Sequence, residues 1–264
     1  MLISGLKPKE FKLGEHIVAY IDILGTSERI KNDKYGEHFC RLEDILQDVS
    51  SVIVQLPNDK EIEIKVKIFS DNILFYLKKS KFDNEGINAL DMIICAVQTF
   101  QRKALNSNLL TRGSITQGEF YADDVFVYGK ALLEAVKLEE NIAIYPRVIL
   151  SPKIIKEISE KGKNYVSKDL DGLYYIDYAD NLSVSALRWD TKTFESGYKE
   201  AISKDNIKNM QKYLWLIDKH NASISKYENN PKIYKHLYID AQTIFEKVWM
   251  EKLDASKTIE GAQA

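Results

Sequence analysis

Two aspartates of the chain lie at turns that follow strand-like apolar sequence. Asp22 directly follows the apolar run of residues 17–21, and Asp71 lies between two alternating apolar runs, at the tip of a predicted hairpin. Carboxylate oxygens are the ligands that Mg²⁺ and Mn²⁺ prefer, and such ions often organise the phosphates of a nucleotide. If the fold brings both aspartates to one sheet edge, the pair predicts a two-metal site.

The turn after Asp22 has the composition of a phosphate-binding turn. Gly25, Thr26 and Ser27 lead into a predicted helix, and backbone N–H groups at a helix N-terminus can bind phosphate oxygens. Taken singly, these residues are also ordinary turn and capping residues, as is an aspartate at a hairpin tip. Their combination with Asp71 favours a nucleotide as the ligand.

The elements around the two aspartates predict an α+β fold, a mixed and largely antiparallel sheet covered by helices. Strands are predicted over residues 17–21, 62–68, 73–77, 109–120, 148–150 and 173–178, and helices over residues 28–54, 85–105 and 128–141 and after Pro152. Beyond residue 188 only two helices are predicted, over residues 204–227 and 234–253. We therefore expect a catalytic domain over residues 1–188 and a helical C-terminal extension over residues 189–264.

Composition excludes several classes of protein. The formal net charge is only −2, so nothing in it favours polymeric nucleic acid or an anionic membrane as a partner. Two cysteines cannot form a disulfide framework, and the four histidines have no metal-ligand spacing. The early lysines argue against a signal peptide, and no apolar run reaches membrane-spanning length. We expect a cytoplasmic protein without a membrane partner.

One rival interpretation concerns phosphatases. Residues 22–26 (DILGT) resemble the Asp-x-Asp-Gly-Thr motif of haloacid dehalogenase-type phosphatases, which use the first aspartate as nucleophile and the second as acid-base residue. Leu24 stands at the position of that second aspartate. The phosphatase mechanism would lack its proton donor, so the two-metal interpretation is preferred.

The order of the motifs resembles that of class III nucleotidyl cyclases, and most closely that of the Pycsar pyrimidine cyclases of bacterial antiphage defence. The matching segments are residues 20–26, 70–72, 111–118, 128–135 and 145–148, and residues 212–221 resemble the Pycsar tail. The resemblance covers residues 15–180. It implies that Asp22 and Asp71 are catalytic and bind two Mn²⁺ or Mg²⁺ ions, with the backbone carbonyl of Ile23 as a further ligand.

The resemblance also assigns residues to the nucleotide. Lys67 aligns with the base-reading position of purine cyclases, although a polar residue on the outward side of an alternating strand explains it equally well. Arg112 and Arg147 each adjoin a strand and could bind a phosphate or a carboxylate. The residues expected to contact the nucleotide are Gly25, Thr26, Ser27, Lys67 and Arg112.

The implied reaction converts a pyrimidine nucleoside triphosphate, UTP in preference to CTP, to its 3′,5′-cyclic monophosphate and pyrophosphate. The product would be a second messenger of antiviral defence, read by a separate effector protein, and the enzyme would be a homodimer. Purine cyclases carry Asn and Arg where this chain has Leu133 and Lys137. The alternative is therefore a catalytically degenerate cyclase-fold module that binds a nucleotide or a protein.

Overall fold

The computed structural model describes residues 12–33, 36–50, 53–55, 61–79, 88–179 and 182–262. The chain divides into two compact units, Met1–Tyr178 and Ala179–Ala264. The division lies before residue 188, where the sequence analysis set its boundary. Strands lie in the first unit, whereas the described part of the second is helical.

The first unit is built on a mixed sheet. Its strands are β1 (Gly14–Ile23), β2 (Ile53–Gln55), β3 (Glu61–Glu63), β4 (Lys65–Phe69), β5 (Asn72–Lys78), β6 (Thr111–Ala122), β7 (Val127–Gly129), β8 (Val148–Leu150), β9 (Val166–Lys168) and β10 (Tyr174–Ile176). Its helices are α1 (Thr26–Asn32), α2 (Glu37–Ser50), α3 (Ala89–Asn106) and α4 (Lys130–Asn141). The main sheet has the order β4-β5-β1-β6-β8-β10-β9, with β7 paired to β6, and β2 pairs with β3 separately. Strands β6 and β8 are parallel, and the other described pairs are antiparallel, so the predicted α+β class is confirmed.

Strand β1 lies in the middle of this sheet and is buried on both faces. Successive side chains of a strand point to opposite faces. Ile17, Ala19 and Ile21 accordingly belong to the main core, which includes residues of α3, whereas Val18 packs in a second cluster that includes Ala131 of α4. Burial on both faces explains why residues 17–21 of β1 form an apolar run and why Glu15, His16 and Asp22 stand towards the ends of the strand.

Some predicted boundaries are wrong. The single helix predicted over residues 28–54 is two helices and a strand: α1 ends at Asn32, Gly36 takes the left-handed conformation with φ +72°, and residues 53–55 form β2. A left-handed residue cannot continue a right-handed helix, and glycine adopts it at little cost. The helix predicted after Pro152 is a 3-10 turn over Ile155–Glu157. Strands β7 and β9 were not predicted, because each is only three residues long and, unlike the equally short β8, is not a continuous apolar run.

The second unit contains α5 (Val184–Ser203), α6 (Ile207–Ser223), α7 (Pro231–Leu237) and α8 (Ala241–Ala262). Helix α5 was not predicted, and the segment predicted as one helix over residues 234–253 is divided between α7 and α8. Buried His220 donates from Nε2 to the carbonyl oxygen of Leu237 at 2.8 Å and lies 3.1 Å from the hydroxyl of Thr191. None of the described helices has both the length and the apolar character needed to cross a membrane.

Candidate active site

Asp22 and Asp71 lie at the same end of two adjacent strands. Asp22 is the penultimate residue of β1 and pairs with Asn72, the first residue of β5. Asp71 immediately precedes Asn72, and its carbonyl oxygen accepts a hydrogen bond of 3.0 Å from the backbone N–H of Ile23. The two aspartates are 49 positions apart in the sequence but adjacent at this sheet edge.

A tight turn places Asp71. Ser70 and Asp71 connect β4 to β5, where Phe69 pairs with Asn72. Ser70 has φ +60°, in the left-handed region that a two-residue hairpin turn requires at its first central position. The side-chain amide of Asn72 donates to Oδ1 of Asp71 at 3.3 Å. Turn and side-chain contact together hold the carboxylate at the hairpin tip.

Arg112 lies opposite Asp22 on the other side of β1. The two residues are directly paired between β1 and β6, and cross-strand partners project to the same face of a sheet. Arg112 accordingly donates from Nε to Oδ2 of Asp22 at 3.1 Å. The next residue, Gly113, permits this pairing, because a Cβ there would stand 2.3 Å from the backbone oxygen of Tyr20. Arg112, predicted to contact the nucleotide, therefore lies beside a predicted metal ligand.

Helix α4 brings a third carboxylate, Glu139, to this group. Ser114 and Thr116 of β6 donate their hydroxyls to backbone oxygens of α4, at Ala135 and Ala131 respectively, over 2.7 and 2.9 Å. Four helical residues rise about 6 Å and two strand residues about 7 Å. Contacts spaced by four residues along α4 therefore match contacts spaced by two residues along β6. One repeat further, Oε1 of Glu139 lies 2.6 Å from Nε of Arg112.

Sequence reasoning missed Glu139, because it follows Lys137 and precedes Glu140 in what looks like a solvated charged face. A signal was nevertheless present. Polar residues recur every second position on β6, at Arg112, Ser114 and Thr116, and the last two of these are buried. Polar side chains on a buried strand require partners, and a helix with small residues spaced by four can supply them.

The site carries concentrated negative charge. Burial raises the pKa of Glu139 to about 7, Arg112 opposes this, and Asp22, Glu140 and Asp71 raise it further. The pKa of Tyr20 rises to about 12, through burial first and then the same four carboxylates. These mutual effects require the carboxylates to be close together in space. Such a group favours a cation.

In the turn between β1 and α1, which was predicted to contact the nucleotide, one side chain bonds within the protein instead. Gly25 precedes α1 with φ +80°, and Ser27 lies in the first turn of that helix. The side chain of Thr26 is buried, with the residue 2% exposed, and its hydroxyl donates to the carbonyl oxygen of Ile23 at 2.8 Å. That oxygen is the predicted additional metal ligand. It keeps a second lone pair.

Two other basic residues that were considered for the nucleotide, Lys67 and Arg147, bind groups of the protein itself. Lys67 lies on β4, and its ammonium group donates to the backbone oxygen of Asp123 in the turn between β6 and β7. Arg147 is 1% exposed and forms ion pairs with Asp169 and Asp171. Arg147 thus binds carboxylates of its own chain, whereas Arg112 lies at the site.

The donor set fits a divalent cation that a nucleotide helps to hold. Among the described residues, no group of three or more His, Cys, Asp or Glu side chains is arranged to bind a metal. Mg²⁺, however, is commonly held by one or two carboxylates together with substrate phosphates and water. Asp22 and Asp71 supply such carboxylates beside the carbonyl of Ile23. The residues present therefore fit Mg²⁺ or Mn²⁺.

Comparisons with known proteins found no matching family profile and no matching curated protein. The chain is similar to solved structures of cyclases. A bacterial light-regulated adenylyl cyclase matches with a TM-score of 0.41 and 14% identity over 67% of this chain, which spans only 56% of that protein. The catalytic core of a rhodopsin-guanylyl cyclase with converted specificity, in complex with ATPαS, matches with a TM-score of 0.42 and 10% identity. The match covers 62% of this chain and 95% of the cyclase core. An adenylate/guanylate cyclase/hydrolase from Silicibacter pomeroyi matches with a TM-score of 0.39 and 13% identity. The match covers 63% of this chain and 99% of that protein. These similarities assign no substrate and no catalytic residue to this chain.

Proposed function

We propose that this protein is a metal-dependent nucleotide cyclase that converts a pyrimidine nucleoside triphosphate, UTP in preference to CTP, to its 3′,5′-cyclic monophosphate and pyrophosphate. The active form is a homodimer, and the product acts as a second messenger of antiviral defence that a separate effector reads. The pyrimidine and defence assignments follow from the motif resemblance. The reaction type has support from the site itself.

One observation carries the reaction type. Asp22 and Asp71 stand at one end of the adjacent strands β1 and β5, linked through the hydrogen bond between the backbone N–H of Ile23 and the carbonyl of Asp71. Two carboxylates at one end of two adjacent strands form an oxygen-rich cradle for divalent cations. A strong nucleophile of the chain is not needed for cyclisation, since the ribose 3′-oxygen attacks the α-phosphorus and pyrophosphate leaves.

The residues divide the work as follows. Asp22, Asp71 and the carbonyl of Ile23 would hold two Mn²⁺ or Mg²⁺ ions, which would favour deprotonation of the 3′-hydroxyl and offset charge on the pyrophosphate. Backbone groups of the turn at residues 25–27 contact the triphosphate, and Arg112 supplies positive charge beside Asp22. Lys67 reads the base after releasing the carbonyl of Asp123.

The test is conversion of nucleoside triphosphates. The purified full chain is incubated with ATP, GTP, CTP and UTP separately in the presence of Mn²⁺, and products are resolved by liquid chromatography and mass spectrometry. We expect cyclic UMP, its loss in Asp71→Asn, and full activity in Asp44→Asn, a matched control on the exposed side of α2. Absence of every cyclic nucleotide from a folded, dimeric preparation refutes the proposal, and a purine product refutes the pyrimidine assignment.

The second candidate is a binding module that keeps the fold but not the reaction. It is favoured by Leu133 and Lys137, which are exposed on α4 where the resembling purine cyclases carry Asn and Arg. Calorimetry with a non-hydrolysable triphosphate separates the two. Binding that requires Mn²⁺ and is lost in Asp71→Asn supports the enzyme, whereas metal-independent binding without turnover supports the module. Release of inorganic phosphate would instead support a phosphatase.

A further inference from the structure

We propose that Glu139 is a positioning residue that takes over the guanidinium group of Arg112 when a divalent cation binds Asp22. The inference rests on the metal site of the proposed function and describes how that site is prepared for its cation. It assigns a role to a buried carboxylate that is neither a predicted metal ligand nor a predicted nucleotide contact.

Arg112 competes with a cation for Asp22. Its Nε carries a single proton, which is donated to Oδ2 of Asp22 at 3.1 Å. A divalent cation needs the same carboxylate, and two positive groups on one carboxylate repel each other. The side chain of Asp22 is mostly buried, so this repulsion is only partly screened by water. Cation binding therefore favours movement of Arg112 away from Oδ2.

Glu139 offers a second acceptor for the hydrogen bond that the Nε–H group of Arg112 donates. Its Oε1 is 2.6 Å from Nε of Arg112, yet the contact lacks hydrogen-bond geometry, and among the described residues this buried oxygen has no other hydrogen-bond partner. The side chain is 4% exposed, so solvent replaces the missing bond poorly. A modest rotation of Arg112 transfers its N–H from one carboxylate to the other.

The acceptor is held in place by the packing of α4 on β6. The hydroxyls of Ser114 and Thr116 anchor the helix one and two turns before Glu139. Because the helix is anchored, Glu139 stays where Arg112 can reach it while Asp22 is occupied. Arg112 then remains at the site as a charge-balanced cation, instead of competing with the metal or leaving the site.

Metal affinity without nucleotide tests the handover. Mn²⁺ is titrated into the full chain and the free ion is followed by electron paramagnetic resonance. Glu139→Gln keeps the shape of the side chain and removes the acceptor charge, and we expect about tenfold weaker binding, about 1.4 kcal/mol. Arg112→Met removes the competitor and should bind Mn²⁺ more tightly than the wild type. Glu160→Gln, the same charge change on a side chain that is 89% exposed and outside the site, should alter affinity less than twofold.

A spectroscopic readout reports Arg112 itself. The Nε–H resonance of Arg112, assigned by its loss in Arg112→Lys, is followed by ¹⁵N nuclear magnetic resonance with saturating Mg²⁺. In the wild type we expect the proton to stay protected from exchange, because Glu139 accepts it. In Glu139→Gln it should exchange rapidly once Mg²⁺ binds. A purely structural role for Glu139 would not produce this difference in a folded variant.

The outcomes distinguish this inference from the proposed function. Mn²⁺ affinity in Glu139→Gln within twofold of wild type, or no weaker than in Glu160→Gln, overturns the handover and leaves the cyclase proposal standing. The expected affinity pattern without any cyclic nucleotide removes the cyclase and leaves the handover. Wild-type protein that binds no Mn²⁺ overturns the handover and the metal premise of the cyclase. If Glu139→Gln fails to fold, Arg112→Met decides, and unchanged or weaker Mn²⁺ binding overturns the handover.

Discussion

Replacing Glu139 by Gln should make the metal-free protein more stable, and increasingly so as the pH rises. Burial raises the pKa of this carboxyl from 4.5 to about 7. Between these two values the folded protein holds a proton that the unfolded chain has lost. Wild-type stability therefore falls across this range, because ionisation must finally occur in a buried, negatively charged site. Glutamine carries no ionisable group and avoids the loss.

The size follows from linkage. With folded and unfolded pKa values of about 7 and 4.5, Glu139 costs about 1 kcal/mol near pH 5.5 and about 3 kcal/mol near pH 8. The stability difference between Glu139→Gln and wild type should thus grow by about 2 kcal/mol over this interval. Titrations of other groups occur in both proteins and largely cancel in the difference.

Urea unfolding at the two pH values measures this difference, with a chelator present to keep cations away from Asp22. Tryptophan fluorescence is unsuitable for the first unit, since Trp189, Trp215 and Trp249 all lie in the second. Far-UV circular dichroism follows both units, and fluorescence then identifies the transition of the second. Glu160→Gln is the matched control, because its side chain is 89% exposed and should leave the difference independent of pH.

A stability difference that is the same near pH 5.5 and near pH 8, or that shrinks as the pH rises, would refute the reasoning. It would mean that Glu139 ionises in the folded protein much as it does in the unfolded chain. The description of Glu139 as a buried member of a carboxylate group would then be wrong. A parallel change in Glu160→Gln would instead trace the effect to general surface charge.

Three further changes test the elements that position the site. Ser70→Gly should raise stability by up to about 1 kcal/mol in thermal unfolding, because Ser70 has a left-handed φ of +60° that glycine adopts more easily; unchanged or lower stability contradicts this. Gly113→Ala should lower stability by about 2 kcal/mol or more, since its Cβ would stand 2.3 Å from a backbone oxygen of β1. The control is Gly14→Ala, whose Cβ would have side-chain atoms of His16 and Lys78, both at 3.3 Å, as its nearest neighbours. Arg147→Met should cost about 3–5 kcal/mol by leaving Asp169 buried without its ion pair, while Mn²⁺ affinity in the folded fraction is retained; a loss of affinity would connect Arg147 to the site.

The sequence predicted the parts of the site that depend on local pattern. An apolar run ending in Asp22 and alternating runs around Asp71 each specify a strand that ends in an acidic turn, because side-chain period and turn chemistry are local properties. The same patterns predicted the α+β class. Helix 28–54 was wrong because periodicity alone does not register a break such as the one between Asn32 and Glu37, which includes the left-handed Gly36.

Only the tertiary structure decided which charged groups share the site. Arg112 and Arg147 look alike in sequence, each beside a strand, yet Arg112 contacts Asp22, 90 residues away, and Arg147 is buried among carboxylates of its own unit. Glu139 resembles a surface residue until α4 packs on β6. Partner choice depends on sheet register and helix docking, which many distant residues determine together, whereas residue type and local spacing are all that a short segment encodes.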